Sequence, residues 1–135
     1  MEVRVAEHMG MCFGVRDAIG MALDLTREGP VTILGDLVHN PDVVAEMDAA
    51  GAVRAHDPEE VRTPVILLTA HGTADRVKLQ LHHDGYQVHD AACPLVKRVH
   101  LAIRRLMEEG RHPVIIGQAG HVEVRGLVGD LDEYT

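Results

Sequence analysis

Apolar residues in this chain gather into short continuous runs, separated by stretches in which they recur every three or four positions. Runs rich in β-branched residues lie at 3–6, 31–34, 65–68 and 114–116, with weaker ones at 52–54 and 86–89. Runs that are continuous rather than alternating predict strands buried on both faces of a parallel sheet. Between them, Val15, Ala18, Ile19, Ala22 and Leu23 form one stripe of a helix over 14–28, which Gly29-Pro30 stops. Asn40 and Pro41 supply an N-cap and a first-turn proline for a helix over 42–50, closed by Gly51. Cys93-Pro94 opens the longest helix in the same way. Its stripe is Leu95, Val99, Ile103 and Leu106, and Gly110 ends it. A less clearly patterned helix is expected over 74–84.

Strand and helix in alternation imply right-handed crossovers and an α/β fold, a parallel sheet with flanking helices. The expected organisation is one complete lobe over 1–92 and the start of a second, similar lobe over 93–135, left incomplete. The acidic end at 129–135 reads as a chain cut just after a turn.

Five turns join an apolar run to a helical pattern, and each holds a cysteine or a histidine. They are Met9-Gly10-Met11-Cys12-Phe13-Gly14, Leu37-Val38-His39-Asn40-Pro41, Thr69-Ala70-His71-Gly72, Asp90-Ala91-Ala92-Cys93-Pro94 and Gly117-Gln118-Ala119-Gly120-His121. In an open parallel sheet such turns lie along the rim outside the carboxyl ends of the strands, beside helix N-termini that favour anions. Two thiols and three imidazoles converging there would suit a metal or cluster site that handles a phosphorylated substrate.

Composition narrows the choice. With 13 Lys and Arg against 21 Asp and Glu the net charge is −8, and aromatic residues make up 2%. Neither a basic patch nor a base-stacking platform for nucleic acid is present. Two cysteines in 135 residues make no disulfide framework, and no apolar run approaches the ~18 residues of a membrane span. Met1 leads directly into a strand pattern without a signal peptide, so the expected compartment is the reducing cytoplasm.

Cys12 and Cys93 are too far apart for a zinc ribbon or a thioredoxin pair. Each precedes a helix, whose dipole favours the thiolate that metals require; the alternative is a pair of buried, reduced small hydrophobes. His39, His71 and His121 can ligate metal or donate to phosphate, or can simply be loop residues satisfied by backbone. The other seven histidines lack this placement and are assigned surface or structural roles. Glu123, two residues after His121, is either a proton relay or a charge suited to the start of a helix. No Walker or dinucleotide-binding glycine pattern occurs, so nucleotides are not implied.

In order along the chain stand Gly10-Met-Cys-Phe-Gly-Val15, Val38-His-Asn40 with Val43-Val44, Ala70-His-Gly72, Asp90-Ala-Ala-Cys-Pro-Leu-Val96 with Val99-His100, and Gly120-His-Val-Glu-Val124 with Gly126. Together they closely resemble the N-terminal part of the LytB-type family of 4-hydroxy-3-methylbut-2-enyl diphosphate reductases. That resemblance implies a three-lobed α/β protein around a 4Fe-4S-type iron–sulfur cluster, held by one cysteine from each lobe. It implies an oxidoreductase of isoprenoid biosynthesis by the methylerythritol phosphate route, which removes a hydroxyl as water to give isopentenyl and dimethylallyl diphosphates. Carried over, Cys12 and Cys93 are cluster ligands, and His39, His71 and His121 bind the diphosphate. His121 and Glu123 deliver protons, and a donor such as ferredoxin or flavodoxin supplies electrons. Members of the family are longer, and the third cysteine comes from the part this chain lacks, so a homo-oligomer or a complementing chain would have to supply it. In the last motif Val122 stands where the family usually has proline, and Arg125 and Leu127 are also atypical.

The expected function is therefore this reductase in truncated or short form. The alternative is a non-catalytic iron–sulfur or metal-binding module with one cluster shared between two chains. A zinc hydrolase ranks below both, because no His-Glu-x-x-His spacing occurs.

Overall fold

A computed structural model describes residues 2–7 and 9–131; His8 and the last four residues of the acidic end lie outside the described residues. Among the described residues, five helices and four strands follow in the order α1 (Phe13–Glu28), β1 (Val31–Leu34), α2 (Pro41–Ala49), β2 (Val53–Ala55), β3 (Val65–Leu68), α3 (Asp75–His83), β4 (Gln87–Asp90), α4 (Pro94–Glu108) and α5 (Val122–Val128), with a 3₁₀ turn at Pro58–Glu60. The strands form one parallel sheet in the order β2-β1-β3-β4.

Side-chain alternation divides the core between the two faces of the sheet. Val31, Ile33 and Leu67 pack with Ala18, Ala22 and Leu25 of α1 and with Val43 and Met47 of α2. Ile66 and Leu68 pack on the other face with Leu81 of α3, joined by Leu34 and Val88. The result is a three-layer sandwich, as continuous apolar strands require. None of the described helices is long and apolar enough to cross a membrane.

Local chemistry sets the helix ends. The Asn40 side chain accepts from the Asp42 backbone N–H at 2.9 Å, with Pro41 in the first turn, as the sequence predicts. Within the core, the Thr32 and Thr63 hydroxyls pair at 2.7 Å, and Thr63 also bonds the Val65 carbonyl. That pairing keeps two buried polar groups satisfied.

Two expected strands do not form. Val3 and Val5 are exposed, as are Val114 and Ile116, and neither 3–6 nor 114–116 pairs with any described strand. An extended segment becomes a strand only where a neighbour takes its backbone groups, and the sheet here ends at β2 and β4. Three of the five turns, those at 37–41, 69–72 and 90–94, therefore follow a strand; those at 9–14 and 117–121 do not.

Leu67 is fully buried at the centre of the sheet. Leu67→Ala should cost about 3 kcal/mol of unfolding free energy, measured by urea denaturation, because the close-packed layers on either side cannot collapse into the void.

Candidate active site at the sheet rim

The order β2-β1-β3-β4 reverses direction between β1 and β3. The crossover through α2 lies on one face and that through α3 on the other. The loops leaving these adjacent strands diverge and open a crevice, the place where open α/β sheets bind ligands. His39 stands in the first of these loops and His71 in the second. Their rings stack with centroids 4.1 Å apart and planes inclined by 27°. His121 closes the group from α5, its ring edge-on to His39 at 5.9 Å.

Backbone hydrogen bonds hold the loops together beyond the last strand residues. Ala70 N–H donates to the Leu37 carbonyl at 3.1 Å, and Cys93 N–H donates to the Ala70 carbonyl at 3.0 Å. The Cys93 turn is thereby tied to the residue before His71. Asp90 braces the same turn by accepting from Ala92 N–H at 2.9 Å and from the Lys78 ammonium at 2.9 Å. Burial opposes ionisation of Asp90, but these two bonds, with Lys97 nearby, hold its carboxyl below the usual range.

Cys12 and Cys93 are the residues that immediately precede α1 and α4, and both are free thiols, the first exposed and the second half-buried. The two helix starts abut: a Cβ built on Gly14 would lie 2.7 Å from Cys93 Sγ. Only glycine admits such an approach. Gly72 answers a second constraint. It turns at φ +84°, and a Cβ there would meet Val96 and the ring of His100 from α4.

Glu123 Oε1 lies 3.8 Å from His71 Nδ1, longer than a direct hydrogen bond but close enough for electrostatic coupling. His121 Nδ1 accepts the Glu123 backbone N–H at 3.3 Å and so caps α5. In the neutral ring this leaves the hydrogen on Nε2, free to donate to an anion. His71 Nε2 is buried without a hydrogen-bond partner, as is His100 Nε2. Burial, reinforced by the neighbouring His39 and partly offset by Glu123, pushes the His71 pKa down. The ring is thus held neutral.

The sequence-assigned residues His39, His71, His121 and Glu123 come together, and the turns of Cys12 and Cys93 meet beside Gly14. Among the described residues, no group of three or more His, Cys, Asp or Glu is placed to hold a metal ion. Other features escaped the sequence reading. A cavity of about 680 Å3 opens beside His39 and His71, and His56, Arg76 and Arg125 help to line it. His56 follows the short strand β2, and no signal in its sequence neighbourhood marks it out. Arg125 departs from the motif it sits in, which was the available hint.

The LytB protein family model matches residues 3–135. The chain belongs to the LytB family. It is 36% identical to a 4-hydroxy-3-methylbut-2-enyl diphosphate reductase of Pseudomonas fluorescens, covering 98% of this chain and 75% of that protein. The reductase of the same name from Aromatoleum aromaticum is 38% identical, with 98% of this chain and 43% of the relative covered. Among solved structures, the E-1-hydroxy-2-methyl-but-2-enyl-4-diphosphate reductase of Plasmodium falciparum superposes with a TM-score of 0.88 at 26% identity, over 94% of this chain and 41% of that one. A second LytB-like structure, an (E)-4-hydroxy-3-methyl-but-2-enyl diphosphate reductase described as the terminal enzyme of the non-mevalonate pathway, gives 0.81 at 35% identity, over 97% and 47%. Apart from the first relative, this chain spans less than half the length of these LytB proteins.

His71 and His100 are both buried with pKa values pushed down, chiefly by desolvation. Below the ordinary histidine value of about 6.5 the unfolded chain takes up protons that the folded chain refuses. Stability should therefore be full above that pH and decline as pH falls through it, levelling off below the folded-state values. Urea titrations from pH 7.5 to 5 check this, and a His100→Gln variant should flatten the dependence.

Proposed function

We propose that this chain is the diphosphate-binding, cluster-bearing part of a LytB-type reductase acting on 4-hydroxy-3-methylbut-2-enyl diphosphate. The observation that carries the reading is the meeting of His39, His71, His121 and Glu123 at the switch point of the sheet, beside the abutting Cys12 and Cys93 turns, in a member of this family. The overall change takes two electrons and two protons and releases the substrate's hydroxyl as water, leaving isopentenyl or dimethylallyl diphosphate.

The donor set fits an iron–sulfur cluster in part. Two free thiols at helix starts would serve as two ligands, and a further polypeptide segment or a second chain would bring the third. When bound, such a cluster would supply the electrons and an open iron that acts as Lewis acid on the hydroxyl oxygen. The imidazoles do the rest of the binding. His121 would donate from Nε2, and His39 and His71 would each donate a ring N–H to phosphate oxygens, with the unpaired His71 Nε2 a buried group that gains from a partner. Glu123, half-exposed beside His71, would relay a proton toward the departing oxygen, a role its nearness to that ring supports. Ferredoxin or flavodoxin is the fitting donor, and the cytoplasm the fitting compartment. Residues 93–135 read as the opening of the next lobe, a reading supported by the exposure of Leu95, Leu101, Val114 and Ile116.

A second reading is favoured by the thiol count. With two cysteines per chain, two copies would pool four thiolates around one shared cluster without catalysis. Iron and sulfide per chain, measured anaerobically alongside native mass, separate the readings. One cluster per two chains without turnover supports the shared module, whereas turnover with a complementing segment supports the reductase.

Cys12→Ala or Cys93→Ala should each reduce bound iron and sulfide to background after anaerobic reconstitution. His71→Asn should weaken binding of inorganic pyrophosphate at least about tenfold by calorimetry, the loss expected when a hydrogen bond to a charged group is removed.

A further inference from the structure

We infer that Asp130 is a positioning residue: it clamps α5 to the start of α3 and thereby sets His121 and Glu123 against His39 and His71. The helix needs such a clamp. α5 has seven residues, too few to persist alone, and it is reached through residues 111–121, which carry neither helix nor strand. The helix it packs on is α4, and what orients it against the sheet rim must come from its other contacts.

Those other contacts are with the loop that carries His71 and the start of α3. A Cβ on Gly126 would lie 2.8 Å from the Gly72 carbonyl oxygen, and one on Gly129 would lie 2.8 Å from the Ala74 side chain. These are backbone-to-loop contacts, close but without direction. Direction comes from the Asp130 carboxylate, which accepts the Asp75 N–H at 2.8 Å through Oδ2 and the Arg76 N–H at 3.1 Å through Oδ1. Those are first-turn N–H groups of α3, and the residue in the cap position, Ala74, has no side-chain acceptor. A carboxylate about 55 residues away in sequence therefore does the work of a missing N-cap. One interaction both caps α3 and fixes the far end of α5, while His121 caps the near end.

The two roles can be separated. Asp130→Ala removes the cap and the clamp together. Adding Ala74→Ser restores a local cap, since the backbone at position 74 (φ −53°, ψ 140°) is extended as a capping residue requires, but it cannot reattach α5. The readout is the ring-to-ring nuclear Overhauser effect between His39 and His121 in the free chain, together with the thermal midpoint. The expected result is loss of the His39–His121 effect in Asp130→Ala, with that between His39 and His71 retained. In the double variant the midpoint should recover while the His39–His121 effect stays absent. Retention of that effect in Asp130→Ala, or its return with Ala74→Ser, would overturn the inference and leave Asp130 a cap alone. Should Asp130→Ala fail to fold alone, the double variant with its restored local cap is read in its place: absence of the His39–His121 effect supports the inference and its presence overturns it. The inference takes from the proposed function the importance of these four side chains. Its test uses no substrate, so a chain that binds no pyrophosphate would defeat that proposal and leave this one standing.

Discussion

The rim depends on a parallel ladder that does not stop where the strands stop. Register pairs Leu34 with Leu68 and Leu68 with Asp90, and beyond these residues the Ala70 N–H and carbonyl are still taken by Leu37 on one side and Cys93 on the other. Backbone groups at the edge of a packed core must find partners, and here each loop finds them in the next. His39 lies two residues past this ladder, His71 one residue past it, and Cys93 within it. Two imidazoles and a thiol are thus set by peptide hydrogen bonding rather than by their own interactions.

Around that ladder the electrostatics are local and differ from the acidic balance of the chain as a whole. The overall charge of −8 says little about the crevice, because the acidic residue nearest the Cys93 turn, Asp90, is committed to Lys78 and Lys97. What faces the crevice is a mixed set, imidazoles with Arg76 and Arg125 beside Asp36 and Asp57, and burial disfavours the charged form of His71. A neutral donor in a sheltered place binds an anion through directed hydrogen bonds and without the cost of burying a cation.

Much of this was legible in the residue pattern, for physical reasons that also explain what was not. β1 and β3 are continuous β-branched runs because the central strands are covered on both faces, and Asn40-Pro41 and Cys93-Pro94 mark helix starts by steric and capping rules that act locally. The segments at 3–6 and 114–116 carry the same apolar signature, yet a run of valines and isoleucines reports only that a backbone suits extension, not that a neighbour awaits it. His39 and His71 could be placed because turns after parallel strands share an edge. His121 reached the group by another route, through the docking of α5, which rests on Gly126, Gly129 and Asp130. None of those contacts is local in sequence, and neither is that of Gly14 with Cys93.

That last contact gives the Cys93 sulfur two unlike sides. Toward α1 it is walled off by glycine backbone with no space for so much as a methyl group, yet the residue as a whole keeps part of its surface exposed. An electrophile or an ion is shut out from the α1 side, and a bulky adduct finds no refuge there. One approach to this thiol is therefore closed by a neighbouring residue that has no side chain at all.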